Sequence, residues 1–219
     1  MPEWKDLVAA LAALVASFAG AWAAFVLENR RRMREESRRQ IGAANRALHT
    51  LFQYWNTLEQ YRKEVIEPFR GKRDAWLNLA ANPVSPTAVH PFKADDLQFL
   101  LQFGKPQVFA DLMLEEQRFD LVVGLIRERS NLVLQEVFPR MAQAGFGVGK
   151  QASEADVERA LGVDVIHQLK TLTDAIVRNV DEDLPSLRVA HDSLRTAMSE
   201  LHPKQKTIAV QFALPKNAA

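Results

Sequence analysis

Hydrophobic positions along this chain fall into one unbroken run followed by three helix-spaced seams. The run is Leu7 to Leu27, 21 residues without a charge: four Leu, three Val, two Phe, nine Ala, Trp22, Ser17 and Gly20. As a helix it extends roughly 31 Å, matching the ~30 Å hydrocarbon core of a bilayer. Its Leu, Val and Phe residues favour insertion by about 3–5 kcal/mol together. The first seam follows at Ile41, Ala44, Leu48, Leu51, Trp55, Leu58 and Val65, with Arg62 in the vacant place. The second takes three-, four- and seven-residue steps through Val108, Leu112, Phe119, Val122, Ile126, Val133 and Val137. The third runs through Ile166, Leu169, Thr173, Ile176 and Val180, then Leu187, Leu194, Met198 and Leu201, with His191 filling a gap. These are heptad-like spacings, and three long helices are the minimum for a bundle. The expected class is all-α: one N-terminal transmembrane helix continuing into a cytoplasmic helical bundle.

The segments between the seams set the boundaries. Residues 1–6 precede the run, 7–27 form the span, 28–40 an arginine-rich collar, 41–202 the bundle and 203–219 a tail. The proline-rich stretch Asn82-Pro83-Val84-Ser85-Pro86 and His90-Pro91 predicts an irregular loop over 81–93. Asp95 to Phe103 reads as one short helix opened by acids, and Gly104-Lys105-Pro106 ends it and starts the next. The second long helix should stop near Pro139 or by Gly145, leaving a connector over 142–152. Ser153-Glu154-Ala155-Asp156 has capping spacing and opens a helix to Leu161. Pro185 makes the last region one kinked helix or two, the second half capped by Asp181 and Asp183. Thr207 to Phe212 reads as an extended packed tail.

Charge sharpens the picture around the run. Arg30, Arg31, Arg32, Arg34, Arg38 and Arg39 stand directly after it against three glutamates, and only Lys5 precedes it. The positive-inside rule then predicts the N-terminus outside and the bulk of the chain in the cytoplasm. Ala19-Gly20-Ala21 and Ala21-Trp22-Ala23 offer cleavage patterns, but the weakly basic leader and long apolar stretch argue against a signal peptide. Trp4 and the six arginines are the expected membrane-interface residues, the arginines meeting anionic headgroups. Ala12, Ala16, Gly20 and Ala24 recur every four residues, a spacing that lets two helix backbones approach in lipid. They are the expected helix-association row and imply a homo-oligomer.

Composition removes most chemistry. The 219 residues include no cysteine, which excludes disulfides, thiolate metal sites and a cysteine nucleophile. The glycine stretch from Gly145 to Lys150 lacks the first glycine and the Ser/Thr of a phosphate loop, since Ala144 and Gln151 stand there. His49, His90, His167, His191 and His202 form no pair at helical ligand spacing. Carboxylates gather at Glu115-Glu116, Asp95-Asp96 and Asp181-Glu182-Asp183; the members of the last cluster point to different helix faces, which suits a solvated turn or helix cap better than an acid–base pair. Outside the collar, residues 41–219 carry 21 basic and 22 acidic side chains, so no field attracts nucleic acid. No enzyme, cofactor or metal is expected.

The layout of alanine-rich run, arginine collar and helical body resembles that of many bacterial membrane proteins. The stretches Asp95 to Leu101 and Glu115 to Phe119 are similar to theirs in character. The resulting expectation is a bacterial inner-membrane scaffold or regulatory module. Its partners would be anionic lipid, a second copy and a further protein. A membrane-perturbing defence effector and a periplasmic coiled-coil lysis protein are the alternatives.

Overall fold

The computed structural model describes residues 4–81, 91–146, 153–203, 205, 207, 208 and 212, without the side chains of residues 5–10, 12, 13 and 154. Its described residues hold helices and no strand. They divide into two compact units, residues 1–43 and 44–219. Helix α1 (Trp4–Tyr61) contributes to both.

In the first unit the helix carries its large apolar side chains in the open. Leu11, Leu14, Val15, Phe18, Trp22 and Phe25 are each 60–74% exposed. Among the described residues, no helix is long and apolar enough to cross a membrane. The transmembrane part of the sequence expectation therefore finds no support in the described residues.

The second unit is a helical body built on the three seams. α1 ends in a π-helical turn, Arg62–Ile66. The short α2 (Ala75–Asn78) follows. Where one helix was expected over 95–103 there are two single turns, α3 (Ala94–Leu97) and α4 (Phe99–Gln102). They break at Gln98, whose amide bonds the carbonyl of Asp95 three residues back and whose side chain also turns to Asp95. α5 (Pro106–Leu132) continues through a π-helical turn, Val133–Val137, into α6 (Phe138–Gln143). Pro139 does not end the helical run. The wider turn before it shifts the backbone partners, so the missing amide of Pro139 breaks little. The expected connector over 142–152 is helical at its start, and residues 147–152 lie outside the described set, as do 82–90 of the expected loop.

α7 (Glu154–Leu161) opens with the expected capping box, the Asp156 amide on Ser153 Oγ and the Ser153 amide on the Asp156 carboxylate. Gly162 turns the chain directly into α8 (Val163–Leu201). Its φ of 79° and ψ of 158° belong to a region that side chains other than glycine's avoid. α8 is one helix through Pro185. Pro185 lies on the exposed face, where the carbonyl it deprives of a partner can reach water.

The core follows the seams. Leu48, Leu51, Trp55 and Leu58 of α1, Leu112, Phe119, Val122 and Ile126 of α5, and Leu169, Ile176, Val180, Leu187 and Leu194 of α8 are buried. Tyr54 stacks on Phe119 at 4.1 Å between ring centroids, joining α1 to α5. At one end Val133, Val137, Val157, Leu161, Val165 and Leu169 close a cluster with Trp76 and Leu77 packed against it.

Candidate functional site

The sequence-predicted residues stay in the first unit. Trp4 is exposed, and Arg30, Arg31, Arg32, Arg34, Arg38 and Arg39 are all exposed on α1. Arg31 pairs with Glu35 at 2.9 Å and Arg32 with Glu28 at 3.2 Å, one helical turn apart in each case. Among the described residues Arg30, Arg34, Arg38 and Arg39 form no ion pair. Ala16, Gly20 and Ala24 share one exposed row, and the side chain of Ala12 lies outside the described set. At 100° per residue this row lies roughly half a turn from the face of Leu11, Leu14, Phe18, Trp22 and Phe25. The helix thus has a bulky side and a smooth side.

The second unit holds buried polar residues that the spacing passes over. The seven-residue steps of the second seam skip Glu115 and Arg129, and the step from Val180 to Leu187 skips Asp183. All three occupy the vacant core positions and are buried, at 3%, 1% and 4% exposure. The expectation that Asp181 and Asp183 cap the second half of a broken helix is corrected. α8 is unbroken there, Asp181 makes a two-pronged pair with Arg70 at 2.9 Å, and Asp183 is buried. The signal available in the sequence was the gap itself, a polar residue where the repeat asks for an apolar one.

Glu115 and Asp183 form an acidic layer. Glu115 Oε1 accepts from Arg118 at 3.0 Å and from the Ser186 hydroxyl of α8. Arg118 also donates to Ser186 Oγ at 2.6 Å. Glu115 Oε2 and Asp183 Oδ2 are buried without a partner. Burial first, then the charge of Glu115, push Asp183 up to about 6, with Arg118 opposing and Glu182 adding. The layer can therefore exchange a proton near neutral pH. Among the described residues no group of three metal-ligating side chains exists.

Arg129 stands apart, about four turns along α5 from Glu115. Its Nε donates to Thr173 Oγ1 and its Nη2 to the carbonyls of Trp76 and Leu79, each at 2.9 Å. These bonds clamp α2 to α5 and α8. Burial lowers the guanidinium from its ordinary value, and the partners are neutral oxygens.

A third feature lies where the tail returns. His191 is fully buried, with Nδ1 3.1 Å from Asp192 Oδ1 and Nε2 unpartnered. Of the other described histidines, His49 and His167 are exposed and His202 is half-buried. The tail residue Phe212 stands edge-to-face with His191 at 4.7 Å and with Trp55 at 5.2 Å. The expected packing of the tail is seen at Phe212, while Ile208 is exposed; residues 209–211 lie outside the described set.

No family model, curated protein or solved structure matches the chain.

Proposed function

We propose that the chain is a single-pass bacterial inner-membrane protein whose helical body is an interaction, scaffold or regulatory module, with the N-terminus outside and the body in the cytoplasm. The observation that carries this reading is the exposure of Leu11, Leu14, Val15, Phe18, Trp22 and Phe25 on a helix followed by exposed arginines. Six large apolar side chains on successive turns demand a non-aqueous cover. Lipid fits the rest of the pattern, because the charge-free run extends back to Leu7 in the sequence. The arginines beyond its end suit anionic headgroups, at about 1 kcal/mol each near the surface.

The body is read as a binding module. Self-association runs through the smooth row of Ala12, Ala16, Gly20 and Ala24, where backbones can approach closely.

Alkaline extraction of membranes tests the anchor. The wild-type chain should stay in the pellet. A Leu14→Arg, Phe18→Arg double variant adds roughly 5–7 kcal/mol against insertion and should move to the supernatant. Wild-type protein in the supernatant would overturn the reading. A C-terminal reporter active only outside the cytoplasm should be silent.

A further inference from the structure

Five side chains from two helices meet at one place on the body. α1 contributes Asn45, Phe52 and Trp55, and α8 contributes Arg188 and His191. Phe52 and Trp55 stack at 6.4 Å between centroids. The Arg188 guanidinium lies over the Trp55 ring at 5.3 Å. His191 closes the floor with its ring fully buried.

The chain's own tail occupies this seat. The Ile208 amide donates to Asn45 Oδ1 at 3.0 Å, a contact that reads the main chain without reading a side chain. Phe212 then enters among the rings, 4.7 Å from His191, 5.2 Å from Trp55 and 6.1 Å from Phe52. Arg188 covers it at 5.6 Å. The arrangement has the parts of a peptide receptor: one main-chain contact for register and one aromatic pocket for identity.

Phe212 fills the pocket incompletely in chemical terms. Nε of Arg188 and Nε2 of His191 are both buried and have no partner. A phenylalanine ring offers the Arg188 guanidinium no oxygen acceptor. A ligand that places a carboxylate beside the aromatic ring would meet the guanidinium with a charge-assisted bond and keep the stacking.

We propose that the cleft between α1 and α8 is a docking site for an extended acidic peptide segment bearing an aromatic residue, and that the tail is a weaker occupant that such a segment displaces. This gives the interaction reading of the body a site and a partner class. It rests on that reading and is independent of the anchor.

The test uses the full chain in detergent micelles and fluorescein-labelled synthetic peptides of residues 203–219, followed by anisotropy. Three peptides are compared: the natural one, one with Ala213→Glu and one with Ala213→Lys. The variant Phe212→Ala of the full chain, and a second variant lacking residues 203–219, leave the seat empty. Both should bind the natural peptide at least tenfold more tightly than the wild-type chain does. On the emptied seat the Ala213→Glu peptide should exceed the Ala213→Lys peptide at least tenfold. Adding Arg188→Gln should remove that preference while the natural peptide still binds. Equal binding by wild-type and emptied chains, or no preference for the acidic peptide, overturns the proposal. Wild-type protein in the alkaline supernatant, with peptide binding intact, overturns the anchor alone. Correct membrane extraction with no peptide bound overturns the docking site alone.

Discussion

Asp183 carries an unbalanced cost at the scale of single residues. Its carboxyl ionises at about 6 in the folded chain, against 3.8 for the free group. Between those values the folded state holds more protons than the unfolded one. Stability therefore falls as pH rises through this window, and the loss is complete above pH 6. Two units correspond to about 3 kcal/mol. Asp183→Asn keeps the shape and removes the charge. It should raise stability at pH 7 by about 1–3 kcal/mol and flatten the slope between pH 4 and 6. Urea titrations across that range measure both; an unchanged slope would contradict the assignment. The same residue shows how far the sequence could be read. The place was visible as a gap in the seam, but the spacing of one helix says nothing about what faces it. Glu115 lies 68 positions away in sequence, and only tertiary packing brings its charge to bear.

Legibility at the scale of elements depended on whether the deciding interaction was local. The cap at Ser153 and Asp156 could be read because both partners lie within four residues. The split at Gln98 could not, because acids ahead of an apolar stretch suit one helix as well as two turns. Pro185 was ambiguous for a related reason: a proline on an exposed face bends or ends a helix according to whether water can serve the freed carbonyl. Gly162 gives the sharpest prediction among the elements. A methyl group there would meet nothing within 4 Å, so only the backbone angle resists substitution. Gly162→Ala should cost about 1–3 kcal/mol by straining the turn between α7 and α8. Thermal melts should register the loss, and a wild-type melting temperature would place the glycine's role elsewhere.

For the molecule as a whole, the all-helical class and three long seams were written in the periodicity. The acidic layer and the aromatic seat were not, since each joins residues far apart in the chain. Trp55 was assigned to a seam and Phe212 to a tail, with nothing in the spacing to bring them together. The smooth and bulky sides of the first unit suggest which side two copies would share. Ala16→Leu with Gly20→Leu keeps the run apolar while filling the smooth side. Cross-linking in membranes should show at least a fivefold loss of dimer, corresponding to about 1 kcal/mol. An unchanged dimer yield would assign association to another surface.

The clamp made by Arg129 has a consequence for how the body responds to acid. Its three acceptors are two carbonyls and a hydroxyl, none of which titrates in the range where Asp183 gains its proton. The tie between α2 and the long helices is therefore indifferent to the charge state of the acidic layer. A proton can enter or leave the core while this strap stays shut.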